Sequence, residues 1–445
     1  MVKLSPAKLK ETWINYFSSN GHEVIPPHSL IPPEYDKSTL FVNAGLGAIK
    51  KLFIESSDKP QMFTSIQKVV RTVDITSIEE DSWHSTYFEM MGNFSIGGYF
   101  KREAISYAVE FLLSLLKIDK SRLVITIYEK DSESESIWKE LLGENTPILK
   151  LGKANFWEIG EGPCGPCTEI YYDRGEKYDK NNLGVELIKQ GINNDRYIEI
   201  WNIVFSQFWA KNGEYEELKR KNIDTGAGLE RVITIIEEAE NIFHSSCFSP
   251  LIKEVEKLSG KSYYLASEDS PLKAHFQIIS DHIRTLTLIV GEGILPSNKG
   301  RGYVVKKLLR RVATSLNILG VPSCLEALSS LLNISVELLS PLHSFLSEQK
   351  ENIKKVVLGE YQSFEKVLNN FYKKIFKEIE NPENNLEERL FTLVEREGAP
   401  FALIEKILVE KEINFSREKF NELYENHKNK SKNAKFSSGF DLTSS

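Results

Sequence analysis

A change of texture near residue 240 constrains this 445-residue chain more than any other feature. Before it, short β-branched and aromatic runs alternate with glycine and proline turns and with helical stretches. After it, strand signals fade and apolar residues recur at helical spacing. That order predicts an α+β domain at 1–240, an all-helical domain at 241–425 and a polar tail at 426–445. Strands are expected at 39–43, 68–73, 86–90, 123–128, 155–159, 169–172 and 197–208. Helices are expected at 101–116, 246–258, 272–290, 303–318, 324–340, 342–376 and 386–396. The first helix opens on Ser5 as cap with Pro6 in its first turn, buries Leu9, Trp13, Tyr16 and Phe17 on one face, and stops at Gly21. Residues 68–73 and 86–90 flank a polar loop, as in an antiparallel hairpin.

Composition excludes several classes. With 41% hydrophobic and 27% charged residues, general disorder is ruled out. Lys plus Arg number 56 against 63 for Asp plus Glu, a net charge of −7, so any nucleic-acid ligand needs a local basic footprint. Four cysteines exclude a disulfide scaffold and suit a reducing, cytoplasmic setting. No run approaches the roughly 18 apolar residues of a membrane span. The N-terminus has no apolar signal core, and no GxGxxG follows a strand, so a dinucleotide-binding fold has little support.

Four segments carry candidate chemistry. In Asp224-Thr225-Gly226-Ala227-Gly228-Leu229-Glu230-Arg231, alternating glycines let a flat ligand lie on the backbone, and Arg231 is placed to stack on a base and meet phosphate; a glycine-rich bend with a surface Glu–Arg pair would look the same. In the second, Arg71 and the run His84–Glu89 lie on the two strands of the hairpin. Arg71 is suited to bidentate contact with carboxylate and phosphate and Phe88 to stacking on a base, although Tyr87 and Phe88 also read as ordinary strand residues. In the third, Gly162-Pro163-Cys164-Gly165-Pro166-Cys167, a zinc half-site or redox pair is weighed against a rigid loop with two incidental thiols. The missing partner ligands favour the loop, and no zinc is expected. The fourth runs from Leu295 to Arg311, where Lys306, Lys307, Arg310 and Arg311 share one arc of a helix opposite Val305, Leu308, Leu309 and Val312. Such an all-basic outer face would be a phosphate footprint; a merely solvated face usually mixes signs.

Together and in this order, FVNAG (41–45), RTVD…HSTYFEMMGNFS (71–95), NFWEIGEGPCGPCTEIYYD (155–173), RYIEIWNIVFSQF (196–208), DTGAGLERV (224–232), DHIR (281–284) and LPSNKGRGYVVKKLLRR (295–311) resemble the class II aminoacyl-tRNA synthetases, and within them the alanyl-tRNA synthetase family. The resemblance covers nearly the whole chain, more loosely after about residue 320. It implies an α+β fold with an antiparallel class II sheet flanked by helices, followed by a helical tRNA-recognition domain. It also implies ATP-dependent attachment of alanine to tRNA(Ala) through an alanyl-adenylate, with ATP and Mg2+ as cofactors. Carried over to this numbering, it makes Arg71 the bridge between carboxylate and α-phosphate. His84, Phe88, Glu89, Glu199 and Arg231 fall to ATP, with adenine between Phe88 and Arg231. Asp224 falls to the alanine ammonium, and Trp157, Asn202, Val204 and Gly226 to a small methyl pocket. Glu169 and Glu199 are the magnesium carboxylates that the resemblance suggests. Asn298, Arg301, Lys306, Lys307, Arg310, Arg311 and Glu395 fall to the acceptor stem and its G·U wobble pair.

Three departures from the family pattern stand out. The loop after Arg71 is short and lacks a Gly-Gly-Lys. Glu395 stands where an Asp is usual. The chain stops at what resembles the junction before an editing domain, so no editing in cis is expected, a separate trans-editing protein is a candidate partner, and a monomer is expected. Replacing Arg310 and Arg311 with Ala is expected to spare adenylation and impair tRNA charging. The competing reading is a class II paralogue that adenylates a small amino acid for a non-tRNA acceptor. It has no need of the basic helix.

Overall fold

The computed structural model describes residues 1–34, 39–45, 59–158, 160–266, 270–381, 385–397, 401–423, 425 and 426. Almost all of the expected polar tail lies outside them. The described residues form nine strands: β1 (Glu23–Val24), β2 (Gln61–Val70), β3 (Tyr87–Ile96), β4 (Leu123–Tyr128), β5 (Ile148–Leu151), β6 (Phe156–Trp157), β7 (Gly162–Asp173), β8 (Tyr197–Lys211) and β9 (Glu214–Gly228). Their order is β1-β2-β3-β9-β8-β7-β4-β5, with β6 pairing β7 off this path. The six central strands are antiparallel, as expected, but both edge pairs, β1–β2 and β4–β5, are parallel, so the sheet is mixed.

The helices are α1 (Pro6–Ser19), α2 (Lys101–Glu110), α3 (Ser132–Leu142), α4 (Glu186–Lys189), α5 (Leu229–Ile236), α6 (Ser249–Ser259), α7 (Pro271–Gly291), α8 (Gly300–Ile318), α9 (Cys324–Leu339), α10 (Phe345–Glu380), α11 (Leu386–Glu397) and α12 (Phe401–Glu410). After β9 the described residues form helices and no strands. Helix α1 begins where its sequence requires: the Ser5 hydroxyl accepts from the Lys8 N–H, and Leu9, Trp13, Tyr16 and Phe17 are its buried residues. Trp13 packs on Phe17, Phe111 and Trp201 at centroid separations of 4.7, 5.0 and 4.7 Å, which pins α1 to the sheet. One hydrophobic core runs from Leu9 through the sheet to Leu403, and a smaller one gathers Phe371, Leu390, Ile404 and Phe420. Helix α7 lies at the centre: every residue from Phe276 to Gly291 is buried, polar ones included. No described helix is long and apolar enough to cross a membrane.

Several expectations need correction. Residues 39–43 are not a strand, although the Val42 N–H donates to the Leu30 carbonyl and its own carbonyl accepts from Val70. Their polar groups meet a loop and one strand end instead of a ladder. Of 155–159 only Phe156–Trp157 is extended, and Ile159 lies outside the described residues. The GPCGPC segment is not a loop: it opens β7, buried between β6 and β8, with a bulge between Cys164 and Cys167. Its glycine and proline content hid a strand that neighbouring backbone makes possible. Strand β5 and helix α12 carried no recognised signal, and the end of the helix expected at 101–116 is a π-helical turn, Phe111–Leu115.

Candidate active site

The middle of the sheet carries a cleft of about 440 Å³. Strand alternation builds it. Phe88 and Met90 of β3 share a face, as do Asn202 and Val204 of β8 and Asp224, Gly226 and Gly228 of β9. The register sets Asn202 opposite Gly226 and Val204 opposite Asp224. The cleft thus collects Arg71, His84, Phe88, Trp157, Glu199, Asn202, Val204, Asp224, Gly226 and Arg231 from segments spread over 160 positions of sequence.

One end of the cleft is cationic. Arg71 stands at the end of β2, its Nε–H donating to the Asn43 carbonyl and its guanidinium 5.1 Å from the Phe88 ring centroid. Arg231, in the first turn of α5, donates to the carbonyls of Trp83 and Glu199. Both arginines thus bond backbone carbonyls, and among the described residues no carboxylate pairs with them. Burial pulls the Arg71 pKa down, and Arg231 adds to this. His84 lines the same end with Nδ1 2.5 Å from Asp81.

The other end is anionic and unpaired. Burial alone raises the Asp224 carboxyl to about 7, and it has no hydrogen-bond partner among the described residues. Asp224 is half-buried, and a largely desolvated carboxylate with no counter-charge among the described residues is costly, so this end is suited to receive a cation. Gly226 beside it has no room to grow: an added Cβ would sit 3.0 Å from the Met90 sulfur.

Glu169 lies behind the cleft, not in its wall. It accepts from Thr126 at 2.9 Å, Tyr171 at 3.1 Å and Asn202 at 3.4 Å, and burial with the charge of Glu199 raises it to about 7. Glu199 lines the cleft. No cluster of three metal-type ligands occurs among the described residues. Magnesium commonly takes only one or two protein carboxylates and completes its shell with phosphate and water. Glu199 fits that part, with Glu169 as a braced neighbour.

Two groups of expected residues are placed differently. Glu89 is not at the cleft. One position from Phe88, it faces the opposite side of β3, fully buried, where its carboxylate meets His343 and Tyr87. The basic face of α8 is not an open outer face either. Lys306, Lys307, Arg310 and Arg311 are half-buried. Lys306 donates to Asn298 at 2.9 Å and lies 3.7 Å from Glu360; Arg310 sits 5.4 Å from the Phe364 ring; Arg311 pairs with Glu79 and donates to His282. The helix is covered by α7 on one side and by α10 and α12 on others, which a helical wheel cannot anticipate. Arg301 donates to the Leu40 carbonyl, and Asn298 is exposed. Glu395 lies on α11, but its side chain is outside the described residues.

Sequence reasoning missed Glu230. It borders the cleft and forms a buried pair with Arg284 of α7 at 2.9 Å, the guanidinium lying 4.2 Å from the Phe248 ring. Met90 was also missed, although its spacing of two from Phe88 pointed to the same face. Cys164 and Cys167 are buried, and burial pushes both thiols up, Cys164 to about 11, which makes them inert in this strand.

A cleft with two arginines and an aromatic ring at one end and a lone carboxylate at the other, on a mainly antiparallel sheet, suits activation of an amino acid by a nucleotide. The model of the family described as tRNA synthetases class II (A) matches residues 8–444, and the chain belongs to that family. Among curated relatives it is 39% identical to the alanine–tRNA ligase of Mycoplasmopsis synoviae strain 53, over 97% of this chain and 50% of that protein. The alanine–tRNA ligase of Mycoplasma mobile is 40% identical over 96% of this chain and 50% of its own length. That of Mycoplasmopsis agalactiae is 47% identical over 70% of this chain and 36% of its own. The chain therefore spans about half the length of the curated relatives it matches. A solved pyrrolysyl-tRNA synthetase from Desulfitobacterium hafniense aligns over 54% of this chain with 11% identity and a TM-score of 0.31, too loose an overlap to argue from.

Proposed function

We propose that this chain carries the aminoacylating activity of an alanine–tRNA ligase, in a catalytic part at 1–240 and a tRNA-reading part at 241–425. The observation that carries this reading is Asp224, which has no hydrogen-bond partner among the described residues, facing a cleft whose far end holds Arg71 and Arg231. Asp224 takes the ammonium of alanine, and Trp157, Asn202 and Val204 close a pocket the size of a methyl group above Gly226. The adenine stacks between Phe88 and Arg231. Arg71 holds the alanine carboxylate against the α-phosphate. A carboxylate oxygen attacks phosphorus, the bond from the α-phosphorus to the bridging oxygen breaks, and pyrophosphate leaves. The terminal ribose hydroxyl of tRNA then attacks the carbonyl carbon and AMP leaves. Positioning and charge neutralisation supply most of the first step, and no general base is required. Magnesium, when bound at Glu199, would neutralise phosphate charge.

On the tRNA side, Asn298, Arg301, Lys307 and Arg310 remain as the surface for the acceptor stem, while Lys306 and Arg311 act inward. Gly302 shapes this surface: an added Cβ would lie 2.4 Å from the Leu295 carbonyl and 2.5 Å from the Ser297 nitrogen. Gly302→Ala is expected to displace residues 295–298 and to lower tRNA charging about tenfold or more while pyrophosphate exchange is retained. Steady-state assays of the two steps check this.

Alanine-dependent pyrophosphate exchange, followed by transfer to tRNA with and without the G·U pair, tests the whole reading. Absence of exchange refutes it. Exchange without charging favours an adenylating paralogue with another acceptor.

A further inference from the structure

Helix α7 is buried along its length yet carries Asp281 and His282 at its centre, 1% and 0% exposed. These two side chains form a continuous line of hydrogen bonds. The Arg311 Nε–H donates to His282 Nε2 at 2.9 Å, so that ring nitrogen is an acceptor and the ring proton sits on Nδ1. Nδ1 faces the Asp281 Oδ2 at 2.8 Å. Asp281 in turn accepts from the Thr86 hydroxyl at 2.6 Å and from the Thr86 N–H at 2.8 Å. The Thr86 carbonyl accepts from the Arg71 N–H at 2.9 Å. Burial keeps the His282 pKa below its ordinary value, consistent with a neutral ring.

We propose that Asp281 and His282 are positioning residues that tie Arg311, at the surface of α8, to Arg71 in the cleft. This rests on the reading of Arg71 as the group that joins carboxylate and phosphate. A buried polar chain is no more stabilising than apolar packing would be, but it is directional. Here it sets the end of the β2–β3 hairpin, because Thr86 lies between His84 and Phe88 and bonds directly to Arg71. The Arg311 side chain is 23% exposed and lies near Lys307, so the line of hydrogen bonds begins at the edge of the surface proposed for the acceptor stem. Arg311 is thus assigned to the first chemical step, and its replacement is not neutral for adenylation.

Pyrophosphate exchange by Arg311→Ala, His282→Asn and the double variant tests this. Asn can keep the donor towards Asp281 but loses the acceptor for Arg311. Each single change is expected to lower kcat about tenfold, with the alanine KM within about twofold, because β8 and β9 still hold the ammonium and methyl groups and only the alignment of the carboxylate by Arg71 is disturbed. The double variant should be no slower than either single one. Additive losses, an unchanged kcat, or a raised alanine KM at normal kcat would overturn the proposal. Arg71→Ala is the separate control: undiminished exchange there refutes the role of Arg71 and the proposal with it, whereas its loss beside neutral Arg311 and His282 variants refutes the chain alone.

Discussion

Asp224→Asn is expected to raise the KM for alanine about thirtyfold or more, since a hydrogen bond to a charged group contributes about 2 kcal/mol. The ATP KM should change far less, because the proposed nucleotide site is at Arg71, Phe88 and Arg231. A normal alanine KM would refute the assignment. The pH dependence follows from burial, which raises the carboxyl from 3.8 to about 7. Only the ionised form attracts an ammonium, so below pH 7 the alanine KM should rise by about tenfold per pH unit, and Asp224→Asn should abolish that slope. Stability moves the opposite way. Between pH 3.8 and about 7 the folded protein keeps a proton that the unfolded chain has lost, so this residue costs stability as pH rises, and the full cost is present above 7. Removing the charge should therefore raise the melting temperature at pH 8 and leave it unchanged at pH 3.5, with a gain of at most about 1.4 kcal/mol for each pH unit of that interval. Melting curves at the two pH values separate this outcome from a neutral substitution.

Gly165→Ala should abolish folding. A Cβ at this position would lie 1.9 Å from the Phe205 carbonyl oxygen and 3.0 Å from the Gln207 nitrogen. Both are backbone atoms of β8, so no rotamer change relieves the overlap; the β7–β8 pairing or its bulge has to open. The cost is expected to exceed about 4 kcal/mol, at the upper end of what single substitutions do. Gly359→Ala is the contrast, inside α10 with nothing within 4 Å of the added carbon. It should stabilise by about 1 kcal/mol through helix propensity. Soluble yield and thermal melting of the two variants test this, and a normally folded Gly165→Ala protein would mean that the bulge is not rigid.

The Gly165 overlap explains why part of the fold was illegible in the sequence. Glycine and proline at 162–166 carry turn signals, and only the approach of β8 shows that they are strand residues selected for closeness. Strand β9 was similarly obscured: its half from Glu214 to Arg220 is polar and lies outside the core, so no alternation marked it. Where local pattern and burial agree, the reading is close. Strand β4 has the expected bounds, and α1 buries the four expected side chains, because an apolar stripe or run has only one way to leave water.

The candidate site divides in the same way. Residue chemistry pointed to Arg71, His84, Phe88 and Arg231, and the family resemblance added Trp157, Asn202 and Asp224; all seven line one cleft. Glu89 was misplaced because the period of a strand was not carried through from Phe88.

Periodicity and residue chemistry were enough for the order of sheet then helices, for the first helix, and for Arg71, His84, Phe88 and Arg231 as nucleotide candidates, while the rest of the cleft lining came from the family resemblance. The packing of distant segments was needed to see that Asp224 has no hydrogen-bond partner among the described residues, that Glu230 pairs with Arg284, and that Arg311 turns inward to His282. Each of those depends on how close two distant segments come, and a side chain's charge does not state which neighbour will meet it.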